Sequence, residues 1–245
     1  MIQKKDDNVE VIFKEGYAEV IVGNRSAGKV AFQENSCHNM HCYLKLELDF
    51  EMFEGMDANT VFEELKSEIK RPLQVMISSD EKDAIYFWGK AGFVRKRRCY
   101  EVEAQKEDCI GKDVEVFELC VAREGERIYE TCCNRMLERY ILTHRAISPW
   151  TGTAEEFYAN LPDEVIYNVT DGEVVNFAFV EDNEIAYVCG NDVKVFRIFA
   201  EALLTKMFNA YEIVTFEADD CDEYAMELKF LFINQPTDSY DTFVL

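Results

Sequence analysis

Ala84-Ile-Tyr-Phe87-Trp88-Gly-Lys90-Ala-Gly92-Phe93 is the stretch that decides the fold. As a helix it packs by two adjacent aromatics, Phe87 and Trp88. Gly92 then permits a sharp exit into a strand that begins at Phe93 and runs to about residue 103. Working toward the N-terminus, Ser78-Ser79-Asp80 supplies side chains for a helix N-cap, and residues 73–77 form a short apolar strand before it. Arg71-Pro72 ends an earlier helix, capped by Asp57 or Asn59, whose apolar positions Val61, Phe62, Leu65 and Ile69 share one face. Further upstream, strands are predicted over 9–13, 17–22, 28–32 and 41–50, with a turn at Gly23-Asn24. In the last of them Leu44, Leu46 and Leu48 alternate with Lys45, Glu47 and Asp49, so one face is buried and one is wet.

Downstream the order repeats. A strand over 114–121 leads to a helix over 124–142, in which Ile128, Cys132, Met136 and Tyr140 recur every four residues beside Tyr129, Cys133, Leu137 and Ile141. A shorter helix over 153–160 is capped by Thr151 or Thr153 and stopped by Pro162. Strands over 165–169, 173–180 and 184–189 follow, then a helix from about 192 to 208 and a strand over 212–217. Asp219 and Asp220 open a last helix, and extended segments close the chain near 228–233 and 242–245. The polar stretch 104–113 has no hydrophobic period and marks a boundary. The expectation is two α/β (α+β) domains, 1–104 and 105–245, each with a mixed central sheet flanked by helices.

Composition narrows the function. The 245 residues are 48% hydrophobic with only 4 Pro and 11 Gly, ample for buried cores and too little Pro and Gly for long disordered tracts. No apolar run follows the N-terminal charges and none reaches 18 residues, so the reading is a cytoplasmic protein without a membrane span. Nine cysteines, irregularly spaced, are expected as free thiols. A net charge of −22 argues against nucleic acid as a partner. Residues 1–104 carry 15 Lys and Arg against 19 Asp and Glu, whereas the remainder carries 11 against 29. Residues 146–193 contain ten carboxylates and no Lys or Arg. A field of that sign attracts a small cationic amine, or serves simply as a solvated surface.

The segment 84–93 resembles the fourth-helix signature of the GNAT acyltransferase superfamily: Ala, two residues, an aromatic pair, then Lys, one residue, Gly-Phe. The element order over 114–233 is similar to that fold over its full length, and the first half is similar from about Tyr17 onward. The chain thus resembles a tandem pair of GNAT-type domains with an abbreviated first copy. The resemblance implies acetyl transfer from acetyl-CoA to an amine, with the second half as the likelier site. It implies Glu184 as the base and Tyr224 as the proton donor to the leaving thiolate, and a cofactor lying along Val188, Cys189, Gly190, Lys194 and Arg197. The family's phosphate cradle is a Gly-rich loop at a helix N-terminus. Here Phe196 and Ile198 stand where that pattern has small residues, and Asp192 stands at the helix start, where a carboxylate repels phosphate. In the first half Gly55-Met-Asp57 has no basic residue, and Trp88 occupies the tyrosine position. The alternative implied is a catalytically silent fold that binds a ligand or a protein.

Three other constellations stand out. Cys37-His38-Asn-Met-His41-Cys42 packs four metal-ligand types into six residues, too close to wrap one tetrahedral ion, so a polar loop is expected and no metal. Arg95-Lys-Arg-Arg98 is a basic run suited to an anionic ligand, to the acidic second half, or to a charge-guarded edge strand. Trp150 lines a pocket or tucks into a core.

Overall fold

A computed structural model describes residues 9–53, 58–111, 118–233 and 238–245. Its contacts divide the chain into two units: Met1–Lys96 with Ala146–Thr151 and Asp241–Leu245, and Arg97–Arg145 with Gly152–Tyr240.

The first unit opens with β1 (Val9–Lys14), β2 (Tyr17–Val22), β3 (Arg25–Gln33) and β4 (Cys42–Leu48), an antiparallel meander in sequence order. Next come α1 (Ala58–Ile69), β5 (Leu73–Ser78), α2 (Lys82–Lys90) and the start of β6 (Val94–Gln105). β5 pairs with β4 in parallel, at Cys42 with Leu73 and Tyr43 with Gln74. The other edge of β5 is closed by the chain's own end: Leu73 N–H donates to Leu245 O at 3.2 Å and Leu245 N–H to Leu73 O at 3.0 Å.

The decisive segment builds this unit's core. Phe62, Trp88 and Phe93 meet edge to face or tilted, at centroid distances of 5.1, 4.6 and 5.3 Å, and Phe62 and Trp88 are fully buried. The exit after α2 is a Schellman motif. Phe93 N–H reaches Trp88 O at 3.0 Å and Gly92 N–H reaches Gly89 O, with Gly92 at φ +90°. A Cβ on Gly92 would stand 2.2 Å from Asn59 Nδ2, and that amide donates to Ala91 O. The start of α2 differs from expectation: Glu81 is the N-cap and makes no side-chain cap bond, while Ser78 Oγ accepts from Asp80 N–H ahead of the helix. Asp57 and the stretch 55–57 lie outside the described residues.

The second unit holds the rest of β6, then β7 (Cys120–Arg123), α3 (Arg127–His144), α4 (Ala154–Tyr158), β8 (Glu164–Thr170), β9 (Glu173–Glu181), β10 (Glu184–Cys189), α5 (Val193–Ala210), β11 (Ile213–Asp219) and α6 (Glu223–Lys229). The last strand, β12 (Asp238–Val244), carries the chain back to the first unit. The second unit's strand order is β6-β11-β10-β9-β8-β7, antiparallel except for β10 with β11. β11 is bordered on its outer side by β6, paired from Cys99 with Asp219 to Gln105 with Ile213. Each unit is therefore an α/β sheet of mixed direction, completed by a strand from the opposite half of the chain.

Most predicted elements lie within two residues of these bounds. Of the two expected caps, Thr153 caps α4, and Glu156 returns its bond to complete a capping box. Two further expectations change. Ile141 on α3 is exposed, since the buried stripe narrows to Tyr129, Cys132, Cys133 and Met136. Leu228 belongs to α6 rather than to an extended end, and 228–233 contributes one bridge, Phe232 with Cys109. The predicted strand over 114–121 is described only from residue 118 on. All nine cysteines are free thiols, five of them buried.

Removing Asp241–Leu245 should unfold the first unit preferentially. Phe243 is 5% exposed, and deleting a buried Phe costs about 3–5 kcal/mol before the lost strand bonds are counted. Faster amide exchange along β5, with β8 to β10 unchanged, is the expected readout.

Candidate functional site

β10 and β11 pair in parallel only at Glu184 with Thr215 and Ile185 with Phe216. A register shift against β9 between Ile185 and Tyr187 turns β10 aside at Ala186. Beyond it the two strands diverge, and two cavities open in the second unit, sharing Ala186, Tyr187 and Glu217 as a common wall.

The larger cavity, about 790 Å³, is lined by six carboxylates, Asp163, Glu164, Glu181, Asp182, Glu184 and Glu217, with Tyr187 and Tyr211 beside them. Its lining contains no Lys, Arg or His. Local sequence explains the arrangement. The tight turn between β9 and β10 carries Asp182 at φ +48°, which sets Glu181 and Glu184 opposite each other as a cross-strand pair. Of the six, Glu164 is partly neutralised by Arg123 at 3.0 Å. Burial, then the carboxylate of Glu217, pushes the Tyr187 hydroxyl above its ordinary value, so it remains a neutral donor.

The smaller cavity, about 170 Å³, occupies the gap between the strands. Arg97 Nη1 donates to Asp219 Oδ2 at 3.0 Å and lies 3.4 Å from His144 Nε2. His144 stacks on Tyr140 with 3.8 Å between centroids. Arg139 Nη2 donates to Asp222 Oδ1 at 2.8 Å, and that same oxygen caps α6 by accepting from Tyr224 N–H. Burial works against the Arg97 charge, but the facing Asp219 together with the neighbouring Cys99 and Cys221 holds the guanidinium above its usual range. Burial, then the carboxylates of Asp219 and Glu217, pushes the Cys99 thiol up.

The structure distributes the residues implied by the resemblance over both ends of β10. Glu184 opens the strand in the acidic cavity, and Val188 lines the smaller one. Cys189 is buried, and that burial raises its thiol. Tyr224 is 5% exposed, with the Arg139 guanidinium 4.7 Å from its ring centre, and burial raises its hydroxyl. It packs beside Gly190, roughly 20 Å along an extended chain from Glu184, so these two are not brought together.

The turn at Gly190 tests for a coenzyme diphosphate. Asp192 caps α5, its Oδ1 accepting from Lys194 N–H at 2.9 Å and Val195 N–H at 3.1 Å. The amides that a phosphate needs are thus held by the chain's own carboxylate. A Cβ on Gly190 would lie 2.6 Å from Asn176 Oδ1, 3.0 Å from Tyr224 Cε1 and 3.2 Å from Phe196 Cδ2, so the space beside it is full. Phe196 is wholly buried, whereas Ile198 points outward at 47% exposure. Arg197 donates to Glu227 at 2.5 Å and neighbours Glu201, leaving Lys194 exposed as the remaining cation. A diphosphate does not fit this turn.

Sequence reading missed Arg97, His144 and Asp219 as a group. The basic run flagged Arg97, but 47 and 122 residues separate it from its partners. Arg95 turns to Asp241 at 3.4 Å in the first unit. The Cys37 to Cys42 loop scatters its ligand types: His38 Nδ1 meets Ser148 O at 2.9 Å and His41 Nδ1 meets Gln74 Oε1 at 2.8 Å. Trp150 lies edge-on to His38.

Fold and site together define a two-unit α/β protein with mixed sheets and an acidic cavity beside a divergent parallel strand pair. No protein-family model and no curated protein matches the chain. Among solved structures it is similar to a GCN5-related N-acetyltransferase from Sphaerobacter thermophilus, at 10% identity and a TM-score of 0.49 over 96% of this chain and 81% of that one. It is similar also to a GCN5-related N-acetyltransferase from Kribbella flavida, at 9% identity and a TM-score of 0.48 over 96% and 89% of the two chains. A functionally unknown conserved protein from Staphylococcus epidermidis is 11% identical, with a TM-score of 0.46 over 100% and 96%. No helix among the described residues is long and apolar enough to cross a membrane.

Replacing Asp192 with Ala should lower stability by about 1 kcal/mol, the ordinary value of a side-chain N-cap. Urea unfolding measures it, and an unchanged midpoint would show that the carboxylate does not hold those amides.

Proposed function

We propose that the second unit binds a small cationic amine in its acidic cavity, on a GNAT-like fold that has lost the phosphate cradle for an acyl-CoA donor. The observation that carries this reading is the cavity's lining: six carboxylates and no cationic side chain around about 790 Å³. An ammonium entering there gains the summed field of groups fixed by β9 and β10, and the faces of Tyr187 and Tyr211 add attraction for a cation. The carboxylates are open to water, so each contributes modestly and salt weakens the whole. The filled turn at Gly190 and the capping carboxylate of Asp192 favour binding without acyl transfer.

The early divergence of β10 from β11, with its bulge at Ala186, favours a second reading. In it the amine receives an acetyl group from acetyl-CoA, with either Glu184 taking the ammonium proton or Tyr224 acting at the thiolate, since one acyl centre does not reach both. Val188, Cys189, Gly190, Lys194 and Arg197 would border the donor. This reading requires the Asp192 carboxylate to release the Lys194 and Val195 amides to the donor.

Calorimetric titration with n-butylamine, against butyrate as a control, tests the first reading. Binding of the amine alone, weakened by 0.5 M salt and reduced roughly five-fold in Glu184→Gln and again in Glu217→Gln, is expected. Equal heats for amine and carboxylate would overturn it. Acetyl-CoA at millimolar concentration should leave the melting temperature unchanged, whereas a rise would restore the acyltransferase reading.

A further inference from the structure

We propose that the outer edge of β1 pairs with the same edge of a second copy of this chain, joining the first units of two copies about a two-fold axis through Ile12. The site is separate from the acidic cavity. β1 lies at the end of the strand order and pairs with β2 alone. Phe32 N–H donates to Gly16 O at 2.8 Å. That bond turns the main-chain groups of Gly16, and by alternation those of Ala18 and Val20, toward β3. Tyr17, Glu19 and Ile21 therefore face β1, where they pair with Lys14, Ile12 and Glu10. The N–H and C=O groups of Val9, Val11 and Phe13 are left pointing outward, and among the described residues they meet no backbone partner.

An open edge accepts any extended chain, and the side chains choose among them. Val9 and Val11 pack into the unit's core, and Phe13 follows them on the same face at 36% exposure. Glu10, Ile12 and Lys14 share the opposite face. Glu10 and Lys14 are exposed, and neither belongs to an ion pair among the described residues. These two charges stand two positions either side of Ile12. An antiparallel copy centred there sets Glu10 against the partner's Lys14 and Lys14 against the partner's Glu10. In the same register Val11 meets the partner's Phe13, and Phe13 the partner's Val11, each pair exchanging both of its bonds.

No neighbouring register does as well. Centring on Val11 sets Glu10 against Ile12, centring on Phe13 sets Lys14 against Ile12, and centring on Glu10 or Lys14 opposes like charges. Centring between two residues opposes outward groups with inward ones, which leaves the edge unbonded. A strand whose charges are complementary to its own reverse is what a two-fold interface requires, since one patch serves both sides. A net charge of −22 works against self-association. Residues 1–104, with 15 Lys and Arg against 19 Asp and Glu, are the nearly balanced part of the chain, so two copies meeting through β1 face the least repulsion.

The test is sedimentation equilibrium of the full chain over a concentration series. A weak dimer is expected, evident by about 100 µM given the small area that one strand edge can bury. Glu10→Lys should weaken it at least ten-fold, although it lowers the net negative charge, and Lys14→Glu should do the same. The double exchange, Glu10→Lys with Lys14→Glu, should return it to within about three-fold of the unaltered chain. Amide exchange at Val11 and Phe13 should slow as concentration rises, while Ile12 keeps the protection that β2 already gives it. A chain that stays monomeric to about 1 mM would overturn the proposal. So would a dimer indifferent to either single exchange, a double exchange that stays dissociated, or association without protection of Val11 and Phe13.

Discussion

Everything distinctive about this protein depends on two parallel strand pairs that separate after two residues of pairing. A parallel ladder satisfies backbone groups only while the strands stay about 5 Å apart. Where β4 leaves β5 and β10 leaves β11, the remaining main chain and the walls behind it need other partners. The units answer differently. In the second, Arg97, His144 and Asp219 line the gap as a hydrogen-bonded cluster, and carboxylates line the adjoining cavity. In the first the gap remains open, with leucines on its walls.

The same competition for backbone groups governs the start of α5. The first amides of any helix lack intrahelical partners, and whatever holds them determines what the helix end can do. Here one carboxylate oxygen, from Asp192, holds two of them. Behind it Phe196, Tyr224 and Asn176 crowd Gly190. Negative charge inside the turn and bulk beside it exclude a diphosphate on two independent grounds, electrostatic and steric. The acidic cavity at the other end of β10 has neither feature in its lining.

Much of the fold was legible because its signals are local. Gly92 two residues past Lys90, followed by Phe93, specifies a left-handed helix exit with an apolar closing contact, and the Schellman motif has those parts. Thr153 is one of two threonines that announce a cap, and alternation over Leu44 to Leu48 announces a strand. The misreadings have equally local causes. Ser78 to Asp80 looks like a cap, but Glu81 took the cap position without a side-chain bond. Ile141 continues a stripe by spacing, yet the helix has turned it to solvent. Ile198 and Phe196 look alike as bulky intruders, and only Phe196 faces inward.

The sequence by itself determined the element order, the sign of the second half's field and the carboxylate at the head of α5, because each is written in neighbouring residues. Tertiary structure alone decided that Leu245 pairs with Leu73, that β6 flanks β11, and that Arg97 meets Asp219 and His144 across more than a hundred and about fifty positions respectively. Those contacts close long loops, whose entropic cost grows only slowly with length, so many alternative partners are nearly equal in that respect. What chooses among them is the shape and burial of the finished core, a property no short window of residues contains.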